Sequence, residues 1–176
     1  MKCDYCEIIQ GREPVEIIHN DDKVIAFVAF EGITNGQLTV VPKEHFTILE
    51  MVPNNVLIHM ADVANKLSAS LFDSLGVQGT NIFIQNGLGA KQEVPHCAIQ
   101  VIPRKENDGL KLEWEPKELS DFDMEDALIQ ITSNSGNLDP AKEEAPKSVE
   151  QPSDETDSQQ SNQQQEKVEN YLIKST

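Results

Sequence analysis

Two cysteines near the start of the chain have the spacing of half a metal site. Cys3 and Cys6 form a Cys-x-x-Cys pair, and two thiolates at this spacing bind one tetrahedral zinc ion when two further ligands come from elsewhere. The pair could instead be a redox couple, or two small residues in a turn. No strand–turn–helix pattern of a thioredoxin-like protein surrounds it. We therefore favour a zinc half-site and keep the other two interpretations as alternatives.

A second candidate for chemistry is a histidine in an apolar segment. Residues 94–102 are mostly β-branched or apolar, with a proline near each end, which predicts a buried strand. Side chains alternate between the faces of a strand, so His96, Ala98 and Gln100 share one face. The opposite face, predicted to lie in the core, takes Cys97, Ile99 and Val101. Only His96 of the first three can do proton chemistry, so the segment alone predicts either a site or a core strand with one histidine at its edge.

A glycine-rich loop at residues 86–92 precedes this strand. Glycines let a backbone approach a ligand closely, and loop N–H groups can hold an anion. A plain hairpin loop would have the same composition. The loop therefore predicts a phosphate site only if other residues support it.

Five more strands and one long helix are predicted to position these residues. The strands are expected at residues 15–19, 23–30, 37–42 and 80–85, with a last short one at 110–114. The helix, residues 53–75, has apolar residues at three- and four-residue spacing, an asparagine cap at position 54 or 55, and Gly76 just past its end. His45 follows a strand end, whereas His19 and His59 are interpreted as surface residues. One helical turn is expected at residues 6–11.

Composition narrows the class of protein. The net charge is −16 with no run of basic residues, which argues against a nucleic-acid partner. No apolar run is long enough for a membrane span, and the first residues do not resemble a secretory signal. Three cysteines are an odd number for a disulfide framework. We expect a cytoplasmic protein with no membrane partner.

The last quarter of the chain has a different composition. Residues 133–176 are acidic and rich in Ser and Gln, with little to bury, which predicts a disordered tail. Residues 118–131 before it have the pattern of a helix. A small apolar cluster, residues 168–174, lies near the end of the tail. The cluster is either a chance grouping or a short docking motif for a protein partner that orders on binding.

The motifs together resemble those of the histidine triad (HIT) family of nucleotidyl hydrolases and transferases. The matching pieces, in order, are Ala26-Phe27, Gly36-Gln-Leu-Thr-Val-Val-Pro-Lys43, Asn86-Gly87, Ala90-Lys-Gln-Glu-Val-Pro-His96 and Ile102-Pro-Arg104. This resemblance covers residues 1–115. It implies an α+β domain with an antiparallel sheet of about five strands, one long helix and a homodimer. It also implies a nucleotide in the cleft, its α-phosphate against a His-x-His-x-His row.

Several positions depart from the family pattern. The middle histidine of the row, which is the family's nucleophile, is Ala98 here, and the third histidine is Gln100. A methyl group has no lone pair, so Ala98 offers no atom for a nucleotidyl-enzyme intermediate. Gln37 stands where the family has a supporting histidine, Ala29 where it has the acidic residue that holds the ribose, and Lys91 where the phosphate loop has a glycine. The resemblance therefore predicts no catalytic residue in this chain.

The retained positions match a zinc site that the resemblance implies. Many microbial members of the family bind zinc through an N-terminal Cys-x-x-Cys, the histidine of Pro-Lys-x-His and the first histidine of the triad. The corresponding residues here are Cys3, Cys6, His45 and His96. Two thiolates and two imidazoles complete a tetrahedral structural site. Zinc is therefore the expected cofactor.

Taken together, the sequence predicts three segments and one main function. Residues 1–115 form the HIT-like domain, residues 116–132 a helical extension, and residues 133–176 the tail. The chain is expected to be a catalytically inactive, dimeric, zinc-stabilised binding or adaptor protein that contacts a protein partner through residues 167–176. The alternative is a nucleotide sensor or divergent phosphohydrolase. Its phosphate would be held by Asn86, Lys91, Gln92 and Gln100.

Overall fold

The computed structural model of the protein describes residues 3–29, 31–111 and 115–135. The chain divides into two compact units, Met1–Glu113 and Trp114–Thr176. The first unit contains the sheet and every predicted site residue. Most of the predicted tail, residues 136–176, and its terminal apolar cluster lie outside the described residues. Ser133 and Asn134 belong to a helix, so the tail was predicted to begin too early.

Five antiparallel strands form one sheet in the first unit, in the order β1-β2-β3-β5-β4. This confirms the predicted α+β fold with a five-stranded antiparallel sheet. The strands are β1 (Ile17–Asn20), β2 (Val24–Val28), β3 (Leu38–Pro42), β4 (Gly79–Phe83) and β5 (Ile99–Arg104). The helices are α1 (Asp4–Ile9), α2 (Asn54–Leu75) and α3 (Asp121–Asn134), with short 3-10 turns at Leu49–Met51 and Leu88–Ala90.

Both faces of the central strands are covered. In β2, Val24 and Ala26 belong to the main core, where α2 packs on the sheet. The alternate residues Ile25 and Phe27 form a second cluster with Val41 on the opposite face, against which residues of α1 pack. A strand that is covered on both sides reads as a continuous apolar run, as this one does in the sequence.

The long helix α2 has 22 residues and runs close to the predicted range. The N-cap residue is Pro53, which has no side-chain cap hydrogen bond, so the prediction of an asparagine at the cap position is wrong. Proline sets the backbone dihedral that precedes the helix without a side-chain acceptor. The end is as predicted, because Gly76 adopts the left-handed conformation at φ 57°. Among the described residues, no helix is long and apolar enough to cross a membrane.

The strand that carries His96 starts later than predicted. It begins at Ile99 rather than at residue 94, because Pro95 has no N–H group for the ladder and the next two N–H groups bond elsewhere. The N–H group of His96 donates to the Val94 carbonyl, and the N–H group of Cys97 donates to the Phe46 carbonyl. The predicted alternation is nevertheless present: Cys97, Ile99 and Val101 lie in the main core.

The other predicted elements need smaller corrections. Of the strand expected at residues 110–114, residues 112–114 lie outside the described part, and residues 110–111 are not in a strand. The first helix spans Asp4–Ile9 rather than residues 6–11. In the second unit, α3 begins at Asp121, because the Ser120 side chain accepts a hydrogen bond from the Asp123 N–H at 3.1 Å and caps the helix there.

Candidate functional site

Four side chains from distant parts of the chain converge on one point. The ligand atoms of Cys3, Cys6, His45 and His96 all lie within 4.8 Å of one another. The Sγ atom of Cys6 is 3.2 Å from Nδ1 of His45 and 3.6 Å from Nδ1 of His96. The Sγ atom of Cys3 is 3.5 Å from the same nitrogen of His96. The predicted ligand set is therefore assembled as a cluster that can hold a metal ion.

The distances between these atoms fit a tetrahedral ion. With metal–sulfur bonds of about 2.3 Å and metal–nitrogen bonds of about 2.05 Å, a sulfur–nitrogen edge of the tetrahedron is about 3.6 Å. The three measured edges, 3.2, 3.5 and 3.6 Å, lie at or slightly below this length. Two soft sulfurs and two imidazoles are a donor set typical of a structural zinc site. The residues present therefore fit the metal at these three edges, and the other ligand atoms lie within 4.8 Å of one another.

Three elements position the four ligands. Cys3 precedes α1 and Cys6 lies within it, His45 follows β3, and His96 precedes β5. The helical spacing places both sulfurs on the side of α1 that faces the sheet, and Cys3 is 6% exposed. A bound ion would therefore fasten the N-terminal helix to the strands.

The orientation of His96 is fixed by a contact behind the cluster. Its Nε2 lies 2.9 Å from the carbonyl oxygen of Pro42 and is buried with the ring, which is 1% exposed. Because a carbonyl can only accept, Nε2 carries the proton and the lone pair of Nδ1 points at the two sulfurs. Burial lowers the pKa of His96, which keeps the ring neutral and ready to bind a metal.

The Cys6 thiol is protonated when no metal is bound. Burial, followed by the neighbouring Cys3 thiol, raises the pKa of Cys6 to about 11. A metal ion binds the thiolate and must displace this proton, so metal affinity rises with pH. Burial also raises the pKa of Cys97 to about 11, and this third cysteine lies in the main core, away from the cluster.

A cleft of about 690 Å³ adjoins the metal cluster. His96, Ala98 and Gln100 all line it, together with Gln37 and Tyr5, so the predicted row does face one cavity. Four acidic side chains line the cavity: Asp4, Glu13, Glu31 and Glu93. None of its described lining residues is Lys or Arg.

The polar side chains of the cleft bond to one another. The Gln100 Oε1 atom accepts hydrogen bonds from Gln37 Nε2 at 3.1 Å and from the Thr39 hydroxyl at 3.0 Å. The Oε1 atom of Gln37 accepts from the Ile33 N–H at 2.8 Å. Gln37 and Thr39 are buried, at 7% and 3% exposure. This amide network satisfies the groups at two of the degenerate positions without any ligand.

Tyr5 lines the cleft together with the row of His96, Ala98 and Gln100. Its ring stacks edge-on against His96 at 5.9 Å and against Phe27 at 5.8 Å. Burial raises the pKa of Tyr5, and the nearby Gln100 side chain opposes this shift. Both Tyr5 and Ala98 pack against the second apolar cluster of the sheet.

The glycine-rich loop is held by its own side chains. Gln92 accepts a hydrogen bond from the Gly87 N–H and donates to the carbonyls of Thr47 and Val94. Asn86 accepts from the Leu49 N–H and donates to Glu50. The predicted role of Asn86 and Gln92 in phosphate binding stays a prediction.

Lys91 has an unusual backbone conformation. Its φ angle is 62°, in the left-handed region that favours glycine. The side chain of Lys91 is exposed. A lysine at this position carries some backbone strain and adds a positive charge to the loop beside the cleft.

A second cluster was not predicted. His19 and His59, which we interpreted as surface residues, both contact the carboxylate of Asp21. His19 and Asp21 are two residues apart, so their proximity could be inferred from the sequence. His59 comes from α2, 38 positions from Asp21, and only the packing of the helix on the sheet brings it there.

The fold and the motifs agree with comparisons to known proteins. A family model of the HIT domain matches residues 10–107, and the chain belongs to the HIT family. An uncharacterized HIT-like protein from Methanocaldococcus jannaschii is 32% identical over 129 residues, covering 73% of this chain and 98% of that protein. An adenosine 5′-monophosphoramidase from Candida albicans is 32% identical over 126 residues, covering 69% and 82%.

One similar solved structure contains a metal. It is a zinc-bound histidine triad family protein from Mycobacterium smegmatis, with a TM-score of 0.61 and 30% sequence identity. The match covers 76% of this chain and 97% of that one. A metal site within this fold is thus present in a similar protein.

Proposed function

We propose that this HIT-family protein is a zinc-stabilised binding or adaptor protein without nucleotidyl-transfer activity. The proposal is based mainly on the residues that occupy the cleft. Ala98 stands between His96 and Gln100, where the family pattern has its nucleophilic histidine, and it offers only a methyl group. Its neighbour Gln100 is engaged with Gln37 and Thr39. These polar groups stabilise the domain instead of facing a substrate.

The remaining histidine of the row has a structural role in this proposal. His96 directs one nitrogen to the two thiols and the other to a backbone carbonyl. Neither nitrogen is left to act as a base on a substrate. Zinc is the proposed ion because of the two sulfur and two imidazole donors and the zinc-bound relative. When bound, it would supply structural cross-linking of Cys3, Cys6, His45 and His96.

The charge of the cleft also favours this proposal over nucleotide chemistry. The lining includes four acidic side chains, and none of its described residues is basic. A phosphate group in this cavity would meet a negative field. A carboxylate could act as a base in principle, but a substrate phosphate has no positively charged partner in the described lining.

The binding function is assigned to the end of the acidic C-terminal tail. Residues 167–176 contain the apolar cluster that follows the long polar stretch. In a homodimer, two copies of this segment would be presented together, and avidity would strengthen a weak contact. We place the protein in the cytoplasm, with a protein partner that recognises a short apolar motif.

Deletion of residues 167–176 is expected to abolish capture of this partner. The full chain and the truncated chain would be used as baits in extracts of the source organism, and the bound proteins identified by mass spectrometry. Deletion of residues 151–160, also ten residues of the tail but without an aliphatic or aromatic side chain, is the matched control and should retain the partner. Equal capture by both deletions would contradict the assignment to the terminal segment.

A second candidate function is a sensor that binds a nucleotide without turnover. It is favoured by the size of the cleft, by its apolar wall of Tyr5, Ile8 and Phe27, and by the strained Lys91 at its side. On this account AMP raises the melting temperature of the zinc-loaded protein in a saturable manner. Under the adaptor proposal AMP leaves the melting temperature unchanged. Adenosine lacks the phosphate, so a shift with adenosine but not with AMP would show that the acidic lining repels the phosphate.

A further inference from the structure

Two histidines from different elements converge on one carboxylate oxygen. The Nε2 atoms of His19 and His59 lie 2.6 and 2.7 Å from Oδ2 of Asp21. His19 is in β1, Asp21 is in the turn between β1 and β2, and His59 is in the first half of α2. The three ligand atoms all lie within 4.8 Å of one another. None of these residues belongs to the Cys3, Cys6, His45 and His96 cluster.

The carboxylate is held in place from behind. The Oδ1 atom of Asp21 accepts hydrogen bonds from the N–H groups of Lys23 and Val24, each at 2.8 Å. This leaves Oδ2 to face the two imidazoles. Fixing one oxygen of a carboxylate so that the other points at a common centre is the arrangement that outer hydrogen bonds give to metal ligands.

We propose that His19, Asp21 and His59 form a second divalent-metal site, which takes a borderline cation such as Zn²⁺ or Ni²⁺. Two imidazoles and one carboxylate are a donor set that such ions prefer. With three protein ligands, the site leaves at least one coordination position for water. It differs in this respect from the four-ligand cysteine centre, and its occupancy would respond to metal in solution.

The geometry needs only a small change to accept the ion. The present distances are those of hydrogen bonds, whereas bonds of about 2.0–2.1 Å to one tetrahedral ion would separate oxygen and nitrogen by about 3.3 Å. Each pair must therefore open by roughly 0.6–0.7 Å, and the proton on each Nε2 must move, to Nδ1 of the same ring or to water. The side chains of His19, His59 and Asp21 are 36%, 35% and 30% exposed, which leaves room for them to rotate.

Two further features favour a cation here. The chain carries a net charge of −16, which raises the local concentration of divalent cations near its surface. The ligands also come from both layers of the domain, the sheet edge and the helix. A bound ion would therefore fasten the turn between β1 and β2 to α2.

The test uses the full untagged chain with zinc in the cysteine centre and excess zinc removed by gel filtration. The chain has four histidines, so each imidazole can be followed by proton NMR during a Ni²⁺ titration. The expected result is saturable broadening of the His19 and His59 signals at one ion per chain. The signals of His45 and His96 should stay unchanged. No saturable effect on His19 and His59 would overturn the proposal and leave a purely hydrogen-bonded cluster.

Two variants separate the site from general attraction to an acidic surface. Asp21→Asn keeps an oxygen for the Lys23 and Val24 N–H groups, so the turn is retained, and Ni²⁺ affinity should fall at least tenfold. Asp73→Asn removes the same charge from an exposed position of α2 and should leave the affinity unchanged. Equal affinity in the two variants would overturn the proposal. His59→Gln, which can still donate to Asp21, should lose the broadening of His19 as well.

Discussion

Removal of zinc is expected to lower the melting temperature of the protein by about 10 °C or more. A ligand that binds only the folded state stabilises it by about 4 kcal/mol when its concentration is 1,000 times its dissociation constant. In a chain of this size each kcal/mol is worth roughly 2–4 °C. The large effect follows from the position of the cluster, where a bound ion would join α1, the segment after β3 and the segment before β5. The measurement is a thermal melt with and without a strong chelator.

Two cysteine variants control this experiment. Cys6→Ser removes one ligand, so the variant should melt near the chelated protein and show little further response to chelator. Cys97→Ala removes a buried cysteine from the core and outside the cluster. This variant should melt lower because of lost packing, but chelator should still lower its melting temperature. If the chelated parent protein melts unchanged, the metal centre is not structural.

The substitution Gln37→Ala is expected to cost about 1–3 kcal/mol of folding free energy. The change removes the acceptor of the Ile33 N–H and a donor to Gln100 at a position that is 7% exposed. An unsatisfied buried polar group costs about 1–3 kcal/mol, and Gln100 keeps its hydrogen bond from Thr39. Chemical denaturation of the zinc-loaded variant measures the loss.

Gln85→Ala is the matched control for this prediction. Gln85 donates two hydrogen bonds, to the carbonyls of Ala90 and Lys91, but its side chain is exposed. Its loss should cost less than about 1 kcal/mol, because water replaces the lost partner. A cost for Gln37→Ala no larger than that for Gln85→Ala would mean that the cleft network is not structural. The amides of the cleft would then be available to a ligand.

Much of the fold follows from local patterns in the sequence. The apolar runs of β2 and β3 predict buried strands, and helical spacing with a glycine stop predicts α2. The start of β5 was misplaced because its composition is apolar from Val94 onwards. What ends the strand there is hydrogen bonding: Pro95 has no donor, and the N–H of Cys97 pairs with a carbonyl from a separate loop. Such a pairing depends on the packed fold and has no local signature.

The cluster of Cys3, Cys6, His45 and His96 was predicted residue by residue, but only through the resemblance to a family. The Cys-x-x-Cys spacing by itself indicates half a site, and nothing local connects Cys6 to His45, 39 positions away. The same limit explains why the cluster of His19, Asp21 and His59 was missed. The acidic lining of the cleft was missed for a related reason. Asp4, Glu13, Glu31 and Glu93 are scattered along the chain, and each reads as an ordinary surface charge until the fold brings them together.

The most direct test of the central claim is an assay for release of AMP from adenosine 5′-phosphoramidate by the full, zinc-loaded chain. The related Candida albicans protein, named as an adenosine 5′-monophosphoramidase, is the positive control. With Ala98 at the position of the nucleophile, the expected result is no AMP above the uncatalysed background and no nucleotidyl adduct in the intact mass of the protein. Release of AMP in proportion to the concentration of the protein would contradict the account.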